Sequence, residues 1–183
     1  MIPLALPSPD DAMAKGPPEP LRARFERLAR SHGPAIGRTA RSYARDVAER
    51  EDLEQDIALA VWRALPSFRG ECAERTFVLR IAHNQALSFV ARRRGRLGPT
   101  DRADDARAAG PDPEVLAGLS ERMRAVFQAI HALPFGQRQV LVLALEGLAH
   151  EEIGQVLGVS VNNVAVRVSR ARAELRRALG EGS

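Results

Sequence analysis

Between Gly95 and Gly118 the helical spacing of apolar residues stops. The segment carries Gly95, Gly98 and Gly110, with Pro99, Pro111 and Pro113, around the charged run Asp101-Arg102-Ala103-Asp104-Asp105. Glycine and proline at that density end helices, and the charged run supplies no core. The pattern predicts a polar, flexible linker over 95–118 with at most a short helical piece. A chain interrupted there is expected to fold as two small units, 21–94 and 119–179, each with its own apolar face. Residues 1–20 hold six of the 12 prolines and are expected to be a disordered lead.

Within both units the apolar residues recur at three and four positions, the period of a helix. In the first unit a short amphipathic turn around Arg24, Phe25 and Leu28 is expected to break at Gly33-Pro34. A second helix is expected from about Ala35 to Arg45 and a third from Ala48 to Leu65, the latter with Leu53, Ile57 and Val61 inward. A fourth, from about Glu74 to Arg93, places Phe77, Val78, Ile81, Ala82, Gln85 and Phe89 on one side, and Arg80, His83, Asn84 and Leu87 on the other. The second unit divides into Leu119–Leu133, Gly136–Glu146, His150–Leu157 and Ser160–Leu179. No strand pattern survives, so the expected class is all-α with two small helical domains.

Composition narrows the function. Aromatic residues are 4% of the chain, so its core must come from Leu, Val, Ile and Ala. The lone cysteine, Cys72, excludes an intramolecular disulfide framework, and four scattered histidines give no metal spacing with it. No metal and no cofactor is expected. No apolar run approaches the ~20 residues that span a bilayer, and the proline-rich start does not resemble a signal peptide, so a cytoplasmic location without membrane insertion is expected. Of the 27 basic residues all but Lys15 are arginine. Arginine suits bidentate contact with phosphate and guanine, although a GC-rich coding sequence gives the same ratio.

Glu151 to Ser160 is the sharpest local signal. A short helix meets a turn at Gly158, and Ser160 can cap a longer helix behind it. That is the pattern of a helix-turn-helix, whose second helix enters a major groove by its first residues. An ordinary αα-corner shares the spacing. Asn162 and Asn163, followed by Arg167 and Arg170, favour DNA, because asparagine can pair with adenine and arginine with guanine or phosphate. Ser160, Asn162, Asn163, Val166, Arg167 and Arg170 form the candidate duplex-reading face.

The first unit carries a different constellation. Glu49, Asp52, Gln55 and Asp56 share one face of the third helix, which would repel DNA and attract a basic protein. A solvated helix face with acids near its N-terminus is the plain alternative. After it, a loop presents Phe68 and Arg69, and the next helix presents Arg80, His83 and Asn84. An aromatic residue beside polar groups can bracket an unpaired base; Phe68 can also simply cover the end of the core.

These residues carry a resemblance. Glu51-Asp52-Leu53-Glu54-Gln55-Asp56-Ile57 with Trp62, then Ala64-Leu65-Pro66-Ser67-Phe68-Arg69-Gly70 and Arg80-Ile81-Ala82-His83-Asn84, resemble region 2 of the extracytoplasmic-function (ECF) sigma factors of the sigma-70 superfamily. Leu133-Pro134-Phe135-Gly136-Gln137-Arg138 and Glu146 to Gly154, with Val164 to Leu175, resemble their region 4. The resemblance implies a promoter-specificity subunit, not an enzyme, whose partners are core RNA polymerase (the clamp helices of its largest subunit, and its flap), promoter DNA and an anti-sigma protein. It implies that Asp52, Gln55 and Asp56 touch the clamp helices. It also implies that Phe68 and Asn84 line a pocket for a flipped −10 base with Arg80 nearby, and that the second unit reads the −35 element. Glu74 departs from a usual aromatic and Phe77 from a usual Trp. Asn162-Asn163 stand for a frequent Gly-Thr, and Ala165 for a frequent basic residue. A free-standing helix-turn-helix regulator is the rival reading, and it needs neither the acidic helix nor the Phe68 loop.

Overall fold

The structure, a computed structural model, describes residues 19–96 and 111–180. The lead before Glu19 and the middle of the linker, 97–110, lie outside the described residues. Every described regular element is helical. The first half holds α1 (Leu21–Arg41), α2 (Val47–Ala64) and α3 (Glu74–Arg96). The second holds α4 (Glu121–Ala132), α5 (Phe135–Leu145), α6 (His150–Leu157) and α7 (Val161–Ala178). The all-α class with two helical domains holds.

The expected break at Gly33-Pro34 does not occur, because α1 runs through Pro34. Proline removes the N–H that would bond the carbonyl of Arg30. Arg30, Ser31 and Pro34 are exposed, so water can satisfy that carbonyl. Leu28 on one side of the proline, with Ala35, Thr39 and Ala40 on the other, is buried and holds both halves in line.

The α2 helix begins with reciprocal capping. Asp46 accepts from the Glu49 N–H at 2.8 Å, and the Glu49 carboxylate accepts from the Arg45 N–H at 2.8 Å. Leu53, Ile57 and Val61 point inward as the spacing predicts. Trp62, 38% exposed, sits at the edge of the core with its ring edge-to-face against Phe25 at 5.3 Å.

One broad side of α3 is buried and serves two clusters. Phe77, Val78, Ala82, Ala86 and Val90 join Leu28, Tyr43, Leu53 and Ile57 in a core that also takes Ile130, Leu133, Leu141 and Ala171 from the second half. Leu79 on α3 and Ala35 on α1 instead enter a cluster with Val140, Leu143, Leu148 and Ile153. Both clusters draw residues from both halves, so the two halves are packed together rather than independent.

Polar contacts follow the same junction. Arg38 donates from Nε and Nη2 to the Glu146 carboxylate at 2.7 and 2.8 Å. The Glu146 side chain is only 4% exposed, with Arg75 a further 3.9 Å partner. Thr76 donates to Glu152. His131 Nε2 donates to the Arg41 carbonyl at 2.7 Å, and burial pushes the His131 pKa down to about 4.

The end of the linker is not a polar tether. Pro113–Leu116 form a 3-10 turn whose Val115 and Leu116 are fully buried against Phe127 and Val47. The Asp112 N–H donates to the Arg45 carbonyl at 2.7 Å. Two adjacent apolar residues sufficed to dock a segment whose composition reads as loop.

Candidate nucleic-acid interface

The α6–turn–α7 unit has the geometry of a helix-turn-helix. Gly158 ends α6 at φ 66°, a left-handed conformation that glycine adopts without penalty. Ser160 caps α7 by accepting from the Asn163 N–H at 3.3 Å. Glu152 closes the other end, accepting from the Ala149 N–H at 2.8 Å. Ile153, Val164 and Val168 are buried between the helices.

Gly154 explains how closely they meet. A methyl group there would stand 2.8 Å from the Val159 carbonyl oxygen, a backbone atom that cannot swing aside. Gly154→Ala is expected to lower stability by about 1–3 kcal/mol through overpacking, against a helix-propensity gain of about 1 kcal/mol. Thermal denaturation checks it: a raised melting temperature would mean the turn relaxes and propensity wins.

On the outer face of α7, Ser160, Asn162, Asn163, Val166, Arg167 and Arg170 line one shallow concavity. The structure therefore brings together all six residues of the expected duplex-reading face. Arg167 is half-buried, its guanidinium lying beside Gly136 at the start of α5, where an added methyl would be 3.4 Å away. Arg170, Arg172 and Arg176 continue the basic surface into solvent, while Arg177 pairs with Glu174 at 2.8 Å.

In the first half, Phe68, Arg69 and Arg80 line a second hollow together with Cys72, Phe77 and Gln155 of α6. Phe68 stacks on Phe77 at 4.3 Å between ring centres. Asn84 is exposed but is not part of this lining. His83 is corrected. It is 1% exposed, its ring beside Tyr43 at 6.4 Å, and burial pushes its pKa down to about 4. It is therefore a neutral core residue out of reach of a strand. At 100° per residue the buried side of α3 continues from Val78 and Ala82 through Ala86, Leu79 and Val90 to His83, and a grouping centred on Phe77 stops short of it.

The acidic face forms the wall of a groove between α2 and α3. Glu49, Asp52, Gln55 and Asp56 line one side, and Phe89, Arg92 and Arg93 the other. Asp56 pairs with Arg92 at 2.7 Å and Glu49 with Arg93 at 3.0 Å. Those arginines were legible only as a basic helix end, and nothing in the spacing matched them to the acids. Asp52 has no ion pair among the described residues. Among the described residues no group of His, Cys, Asp and Glu could hold a metal ion, and no helix is long and apolar enough to cross a membrane.

A helix-turn-helix with a basic second helix is packed on a three-helix unit that has an acidic groove and an aromatic loop, which is the arrangement expected of a sigma-70 factor. Comparison with known proteins agrees. The family model Sigma-70 region 2 matches residues 28–96, and Sigma-70, region 4 matches residues 123–175. The RNA polymerase sigma factor NccH of Alcaligenes xylosoxydans is 31% identical over 92% of this chain and 94% of the relative. The ECF RNA polymerase sigma-E factor of Escherichia coli is 33% identical over 66% and 69%. The solved structure of CnrH in complex with the cytosolic domain of CnrY superposes with a TM-score of 0.60 at 30% identity, covering 90% of this chain and 92% of that one. RpoE of Bartonella quintana, solved with the anti-sigma factor NepR, shares the fold at a TM-score of 0.68 and 22% identity, covering 87% and 99%. The chain belongs to the ECF RNA polymerase sigma factors.

Proposed function

We propose that this sigma factor docks on core RNA polymerase through the α2 groove, captures the melted −10 strand at the Phe68 hollow and reads the −35 duplex with α7. The domain boundaries that go with this reading are region 2 over 21–94, a linker over 95–118 and region 4 over 119–179. The observation that carries it is that one chain presents all three surfaces, of opposite charge and on different elements. A free-standing regulator would need the α7 face alone. Such a protein selects promoters and leaves the chemistry of transcription to the polymerase, and it works where the polymerase works, in the cytoplasm. CnrH is solved with the cytosolic domain of CnrY, and an anti-sigma protein is the corresponding partner here.

The test is run-off transcription from genomic fragments with core polymerase, with and without the purified chain. Specific start sites are expected only with it. A chain that binds duplex DNA but never core polymerase would leave the regulator reading standing. Asn163→Ala is expected to cost about 1–3 kcal/mol of discrimination at one −35 position. Equal losses on all sequences would mean that Asn163 does not read a base.

A further inference from the structure

The first turns of α1 and α3 meet beside Phe68. Glu74 accepts from Arg27 at 2.7 and 2.9 Å and from Arg24 at 3.3 and 3.2 Å. The Arg24 guanidinium lies over the Phe68 ring, 5.0 Å from its centre. Phe77 is stacked on Phe68 at 4.3 Å and 23°. Phe68 thus already has two neighbours against its ring, Phe77 and Arg24. The side chains of Arg24, Arg27 and Glu74 are 28%, 42% and 30% exposed, so water and solutes reach all three.

A carboxylate and a phosphate present the same acceptors to a guanidinium fork. Glu74 bonds both forks here, beside Phe68 of the hollow, and Glu19 accepts from Arg27 as well, at 3.1 Å. We propose that Glu74 occupies the position on Arg24 and Arg27 that a backbone phosphate of the melted strand takes, and so sets how tightly the −10 strand is held. The strand must displace Glu74 to gain Arg24, and both Glu74 and Glu19 to gain Arg27, so Glu74 weakens capture of any strand whose other contacts are poor. This rests on the proposal that the Phe68 hollow receives the single strand. It gives a role to an acid in a place that otherwise favours DNA.

The test uses the full chain bound to core polymerase and a fluorescein-labelled, single-stranded DNA 12-mer of random sequence, titrated at several salt concentrations. Wild type is expected to bind the strand more tightly than core enzyme alone. Glu74→Gln is expected to bind roughly tenfold more tightly at low salt. Its salt slope should steepen by about 0.7 for each arginine released to a phosphate. Arg27→Ala is expected to do the reverse, losing affinity with a slope shallower by about 0.7. It carries the test if Glu74→Gln does not fold. If wild type binds no better than core enzyme, the strand-binding reading of the hollow falls and the role of Glu74 with it. If wild type binds but neither variant changes affinity or slope, the hollow stands and Glu74 is only a tie between α1 and α3.

Discussion

Asp52→Arg is expected to lower affinity for core RNA polymerase by about 100-fold while leaving the melting temperature of the chain unchanged. The side chain is exposed in the second turn of α2 and has no internal ion pair among the described residues. Its removal therefore breaks nothing in the fold. A like charge brought against a basic partner costs several kcal/mol, and about 3 kcal/mol is a little over a factor of 100. The neighbouring acids are poorer tests. Asp56→Arg would also set a cation beside Arg92, and loss of Glu49 would undo both the α2 cap and the Arg93 bond. Competition binding to core polymerase, paired with thermal denaturation, checks the prediction. Unchanged polymerase affinity would remove the α2 groove from the docking surface. A parallel fall in melting temperature would point to misfolding instead.

Leu79→Ala is expected to cost about 2–5 kcal/mol, and to cost it at the junction of the two halves. Leu79 is 1% exposed and lies on α3, yet its neighbours are Val140, Leu143, Leu148 and Ile153 of the second half. Leu53, Ile57 and Val78 belong to the other cluster, which does not include Leu79. Urea denaturation followed by amide exchange is expected to show α5–α7 losing protection before α2 and α3. A single transition shifted equally for all helices would mean that the two halves unfold as one unit.

Most elements were legible because each carries its own period and its own caps. Ser160 and Gly158 marked the helix-turn-helix, and the α7 face follows from the 3.6-residue repeat alone. What was not legible came from contacts across the chain. Pro34 stays inside α1 because residues on both sides of it are held by tertiary packing, which local propensity does not contain. His83 was placed on the wrong face because the apolar side of α3 was centred on Phe77, whereas Leu79, Ala86 and Val90 carry it round to His83. Val115 and Leu116 were taken for linker because their burial depends on Val47, far away in sequence. Arg92 and Arg93 were visible as a basic run, but their pairing with Asp56 and Glu49 needed the angle between α2 and α3.

The shared burial of α3 has a consequence during synthesis. The chain leaves the ribosome N-terminus first, so α1 to α3 are out before α5 and α6 exist. At roughly 5–20 residues per second, the ~60 residues from Arg96 to the end of α6 take on the order of 3–12 s. For that interval Ala35 and Leu79 face water with no apolar neighbours from α5 and α6 to cover them. The nascent first half thus presents a small adhesive strip that the finished protein hides. It is then open to whatever hydrophobic surface reaches it first, a chaperone or another nascent chain, until its own second half arrives.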